Sequence, residues 1–138
     1  MLRDKAYPGW GFQVANGATT IWERWNSFTL DKGFNGAMNS KMNSFNHYAF
    51  GAVGQFLFSE MAGIQPARPG FSEIIIKPMV GDHSVRSVGA EYESVHGKIA
   101  SSWEIGGNEF TLDVEIPVNT TARIYVAARV DTPVHAVR

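Results

Sequence analysis

The sequence predicts an α+β chain, a helical and aromatic-rich first half followed by an antiparallel β-sandwich. Three observations carry that expectation. Residues 43–64 form a long apolar stretch with Gly63 as a natural stop, which reads as one helix. From Phe71 onward the residues alternate, as in Thr111, Asp113 and Glu115 set between Phe110, Leu112, Val114 and Ile116. Between them QPARPG (65–70), with two prolines and a glycine, breaks both patterns and reads as a linker. The chain therefore divides into segments 1–66 and 67–138.

Taken in order, residues 7–16 suit a short helix entered through Pro8 and ended by Gly17. Residues 19–25 suit an extended piece or a helical turn. If extended, Glu23 and Trp25 share one face and Trp22 and Arg24 the other; if helical, the two tryptophans align. DKGFNGAMNS (31–40) is a loop. In the helix at 43–64, Phe45, Tyr48, Ala49, Ala52, Val53, Phe56, Leu57, Met61 and Ala62 cover most of the circumference, which predicts burial on several sides. Asn43, His47, Gly51 and Gly54 form a stripe that starts polar and ends bare. Strands are expected at 73–77, 87–94, 98–105, 109–116 and 122–127, with tight turns at VHG (95–97) and GGN (106–108).

Composition excludes several classes. With 138 residues, 44% hydrophobic and 18% charged, the chain is globular rather than disordered. A net charge of −1 offers no electrostatic case for nucleic acid or for an anionic membrane. No apolar run approaches the ~20 residues that span a bilayer. Cysteine is absent, so disulfides and thiolate chemistry are out. His83, His96 and His135 are scattered, with no metal-ligand spacing. The abundance of rings, 4 Trp, 4 Tyr and 9 Phe, suits a core and equally suits sugar faces.

Chemistry concentrates in GATTIWERWNS (17–27), where Trp22, Glu23, Arg24 and Trp25 crowd charge among rings. Glu23 reads either as an ion-pair partner of a basic residue or as a catalytic carboxylate beside a sugar. Glycoside hydrolysis needs two carboxylates, an acid on the leaving oxygen and a base or nucleophile. One glutamate does not meet that requirement.

YPGWGFQVANGATTIWERW (7–25) with MNSFNHYAFGAVGQFLFSEMAGI (42–64), continued by IKP (76–78), Trp103 and IPVNTTARIYV (116–126), resembles the C-terminal part of bacterial α-L-rhamnosidases of glycoside hydrolase family 78. The resemblance covers nearly the whole chain. It implies the last helices of an (α/α)6 barrel followed by an antiparallel β-sandwich, and metal-free, inverting hydrolysis of terminal α-L-rhamnosyl bonds without a cofactor. It implies that Glu23 is the general base and that His47 contacts rhamnose, with Trp22, Arg24 and Trp25 shaping the site and Asn46 in the same shell. The general acid is then expected upstream, in an earlier barrel portion that would be this chain's partner along with rhamnose-containing glycosides or polysaccharides. On that reading the segment alone is inactive, and its N-terminus, which lacks an apolar signal core, leaves the compartment open.

The remaining candidates read as structural. Glu60 falls late in the helix, Asp82 in a turn, and Glu91, Glu93 and Glu104 on solvent faces of strands. Trp103 suits the sandwich core, or else a sugar platform. The platform defines a rival reading, a non-catalytic carbohydrate-binding module; a third reading is a sandwich that is purely structural.

Overall fold

The computed structural model describes residues 2–34, 43–81 and 84–128. Asp82, His83, His135 and most of the 31–40 loop lie outside the described residues. The chain forms two compact units, Met1–Val53 and Gly54–Arg138.

In the first unit, α1 (Trp10–Ala15) is a short helix. Asn16 closes it, its Nδ2 donating to the Phe12 carbonyl at 2.8 Å, and Gly17 follows with φ 86°. The chain then runs irregularly to Arg24, which is extended (φ −128°, ψ 148°), and tightens into a 3₁₀ turn at Trp25–Ser27. Neither option holds over the whole of 19–25: residues 19–24 form no strand or helix, and the helical turn begins only at Trp25. The unit is held by rings. Trp22, 5% exposed, meets Phe28, Phe34 and Phe45 at centroid distances of 6.2, 5.7 and 5.7 Å, and Phe12 meets Phe28 at 6.2 Å.

The helix expected over 43–64 is shorter. It starts as a 3₁₀ turn at Tyr48–Ala52, becomes α2 (Val53–Phe56) and widens into a π turn at Leu57–Met61. Residues 44–47 do not join it, because their backbone bonds go elsewhere: Ser44 O accepts from Glu23 N at 2.8 Å and His47 N donates to Ile21 O at 2.8 Å. The expected burial on several sides is also not seen. Tyr48 is 90% exposed, and Phe56, Leu57 and Phe58 also stand in solvent. Gly63 ends the helical run with φ 80°. A Cβ there would also stand 2.2 Å from Pro78 N, so only glycine fits this crossing.

Among the described residues, two three-stranded sheets build the second unit. β3 (Ser87–Ser94), β4 (Gly97–Gly106) and β5 (Glu109–Glu115) form an antiparallel meander, with two-residue turns at 95–96 and 107–108. The other sheet has the order β1-β2-β6. β1 (Ile64–Pro66) pairs antiparallel with β2 (Glu73–Ile76), and β2 pairs parallel with β6 (Thr121–Ile124). β1 takes the last residue read as helix and the first two read as linker, and its ladder ties residues 64–66 to β2.

The sandwich core is aliphatic. Ala62, Ile64, Ile74, Ile76 and Ile99 are buried, with Phe71, Val88, Ala90, Leu112, Val114 and Ala122 packed against them. On β4, Ile99, Ser101 and Trp103 point inward while Ser102 and Glu104 are exposed. Glu91 and Glu93 are exposed too. Ser101 Oγ donates to the Ala62 carbonyl and Trp103 Nε1 to the Met61 carbonyl, both at 2.7 Å. These bonds satisfy carbonyls at the end of the π turn that have no helical partner. Trp103 is therefore a core residue, 3% exposed, and offers no ring face to a sugar.

Candidate functional site

The site is assembled from the two longest motifs. Residues 20–23 lie along residues 44–47 and are bonded to them at four places. Thr20 Oγ1 donates to the Phe45 carbonyl, and His47 N to the Ile21 carbonyl at 2.8 Å. Glu23 N donates to the Ser44 carbonyl at 2.8 Å, and Ser44 N returns a bond to Glu23 Oε2 at 2.7 Å. A backbone N–H on a carboxylate is a charge-assisted bond, stronger than a neutral one, and it fixes the rotamer of Glu23.

Glu23 opens onto a shallow recess of about 90 Å³ lined by Trp10, Trp22, Glu23, Arg24, Trp25 and Phe50. Trp10 and Trp25 meet edge to face at 5.3 Å and 64°. The Glu23 side chain is 29% exposed, so water reaches a carboxylate whose position is held. His47 Nδ1 stands 3.9 Å from Oε2, too far for a hydrogen bond and at the limit of an ion pair. The His47 ring also lies 5.0 Å from that of Phe50. Among the described residues, the basic group beside Glu23 is thus a histidine at long range, not an arginine in contact.

The other expected residues divide. Trp25 and Arg24 line the recess. Arg24 Nη1 is buried without a hydrogen-bond partner among the described residues. Trp22 forms the recess wall from within the aromatic cluster. Asn46 is exposed and lies off the lining, its backbone N–H bonded to Ser44 Oγ at 3.2 Å. Three residues were not anticipated. Trp10 was part of a recognised motif without a role, and Phe50 follows His47 at one helical turn. Ser27, 2% exposed, closes the Trp-Glu-Arg-Trp turn: its Oγ accepts from Arg24 N at 3.2 Å and donates to Asn43 Oδ1 at 2.8 Å. The serine after WERWN carried the signal, since short hydroxyls favour such turns. Among the described residues, no three metal-ligating side chains gather.

Residues 1–61 match the bacterial alpha-L-rhamnosidase 6 hairpin glycosidase domain, and residues 63–137 the bacterial alpha-L-rhamnosidase C-terminal domain. An alpha-L-rhamnosidase of Streptomyces avermitilis is 39% identical over 93% of this chain and 12% of its own length. One of Formosa agariphila is 42% identical over 91% of this chain and 13% of its own. The crystal structure of the Streptomyces avermitilis enzyme complexed with L-rhamnose superposes with a TM-score of 0.80 at 39% identity, over 92% of this chain and 12% of that one. That of the native Aspergillus terreus enzyme does so with 0.79 at 36%, over 94% and 15%. The chain thus spans about an eighth of the length of the curated relatives it matches.

Proposed function

The chain belongs to the bacterial α-L-rhamnosidases, and from that premise we propose that it supplies the general base of an inverting hydrolysis of terminal α-L-rhamnosyl bonds. The base is Glu23. One observation carries this reading: Glu23 is pinned by the Ser44 N–H at the edge of an aromatic recess, and no arginine or lysine salt bridge to it is formed among the described residues. Inversion requires a carboxylate that takes a proton from water as the water attacks the anomeric carbon. An acid roughly 6.5–9.5 Å away protonates the leaving oxygen from the opposite side. That acid belongs to an upstream barrel portion. Trp10, Trp25 and Phe50 provide flat apolar surface for the sugar ring, and His47 and Arg24 provide donors for its hydroxyls. Asn46 belongs to the rim of the site.

Residues up to about 61 then complete a barrel, and the remainder, with β1 paired into its sheet, is a sandwich with a structural role. The exposed Tyr48, Phe56, Leu57 and Phe58 are apolar surface that the upstream barrel helices cover.

The test is Glu23→Gln in a hydrolase carrying this segment together with the upstream barrel, assayed on an aryl α-L-rhamnoside. A fall in kcat of ~10² or more with unchanged folding is expected, the scale of a lost general base. A near-normal kcat places the base elsewhere. On this assignment of the acid to an upstream portion, the 138-residue chain alone is expected to release no rhamnose; measurable release would overturn that.

A further inference from the structure

Resting on the reading of Glu23 as base, we propose that Ser27 is a positioning residue for it, acting through a ring of hydrogen bonds. Glu23 and Ser44 are joined twice, by Glu23 N to Ser44 O and by Ser44 N to Glu23 Oε2. The residues flanking that pair are Arg24 and Asn43, and the Ser27 hydroxyl holds both: Oγ accepts from Arg24 N and donates to Asn43 Oδ1. The hydroxyl therefore fixes the spacing between the segment that carries the carboxylate and the segment that carries its N–H donor. Ser27 touches neither the recess nor the carboxylate, and at 2% exposure it cannot reach substrate.

Its turn is anchored further by buried Gln13, whose Nε2 donates to Arg24 O at 3.4 Å, and by Ser27 N on the same carbonyl at 3.2 Å. Removing the hydroxyl leaves these two bonds to the Arg24 carbonyl in place, and frees Asn43 Oδ1 and the Arg24 N–H together. The segment 43–44 then moves off Glu23, and the carboxylate samples rotamers that do not face the recess. Displacement of a reacting group by about an ångström suffices to lower a rate by one to two orders of magnitude.

The experiment uses the complete hydrolase and compares S27A, N43A, the double variant, N43D and E23Q. S27A and N43A are each expected to lower kcat about tenfold with KM unchanged within about twofold. The double variant should fall no further than the worse single variant, because one clamp is broken either way. N43D keeps the acceptor oxygen and should recover most of the rate. Wild-type kcat in folded S27A and N43A, multiplicative losses in the double variant, or no recovery in N43D overturns the positioning role. If S27A does not fold, N43A against N43D decides. E23Q separates the two ideas. An active E23Q refutes the base itself, whereas an inactive E23Q beside normal S27A and N43A refutes only the clamp.

Discussion

The two units use opposite means to hold their shape. The sandwich is a ladder structure: its strands pair along their whole lengths, and its interior is filled by isoleucines with alternating neighbours. The described residues of the unit carrying Glu23 form one short α-helix, two 3₁₀ turns and few regular bonds. Rings in edge contact fill its interior, and single side-chain bonds such as those of Thr20, Ser27 and Asn16 fix its turns. A ladder spreads its energy over many equivalent bonds. A network of single bonds concentrates precision at a few atoms, which is what a catalytic carboxylate needs. The two kinds of architecture should therefore fail differently when cut.

The largest expected effect is catalytic and belongs to the Glu23 unit. Glu23→Gln should cost two orders of magnitude or more in kcat while leaving the melting temperature of the hydrolase within a degree or two. A melting temperature that collapsed with the rate would make Glu23 a structural residue and erase the contrast. The sandwich should behave in the reverse way. Gly63→Ala places a methyl group on the Lys77–Pro78 backbone at a residue with φ 80°, and should destabilise the 138-residue chain by about 3 kcal/mol or more in urea unfolding. An unfolding midpoint equal to wild type would mean that the crossing can open. Ser101→Ala leaves the Ala62 carbonyl without its donor inside the core, for about 1–3 kcal/mol in the same assay. A neutral result would show that another donor takes its place.

Lys98 should give the smallest effect. Its ammonium is held above the ordinary lysine range by the hydrogen bond to Glu115, then by the charge of Glu115 and that of Glu91. A raised value means that the contribution is complete below the ordinary lysine pKa and is lost as alkaline pH passes through the raised one. Lys98→Met should therefore lower stability slightly at neutral pH and low salt, and not at all in strong alkali or high salt. An equal loss under all conditions would assign the effect to packing of the stem.

The same contrast explains what the sequence made legible. β3, β4 and β5 were readable because period-two alternation records the burial of one face, as in Ile99, Ser101 and Trp103 against Ser102 and Glu104. Gly97 and Gly107 marked the turns, with φ 121° and 61°. β1 was hidden because Ile64 reads as helix and Gln65 and Pro66 as linker; proline is tolerated there because the strand lies at a sheet edge. The parallel pairing of β2 with β6 was hidden because it joins segments far apart in sequence. The late helix start was hidden for a related reason. Phe45 continues the apolar spacing of the residues after it, but the backbone of Ser44 and His47 is bonded to Glu23 and Ile21. The motifs located Glu23, His47, Trp25 and Arg24, but only the fold brought Trp10 and Phe50 to them. Asn46 stood next to His47 in sequence and stands apart from the recess in space.

The donor that holds Glu23 is a main-chain N–H, and this has a genetic consequence. Every amino acid except proline carries that group. Position 44 can therefore vary in its side chain and still support the carboxylate, and alanine substitution there removes a hydroxyl while sparing the bond that matters. A mutational scan would score residue 44 as unimportant, although its amide is among the nearest neighbours of the carboxylate. Support supplied by the backbone leaves little imprint on which residues a position tolerates. The dependence would become visible through proline, or through replacement of the amide by an ester in a chemically assembled chain.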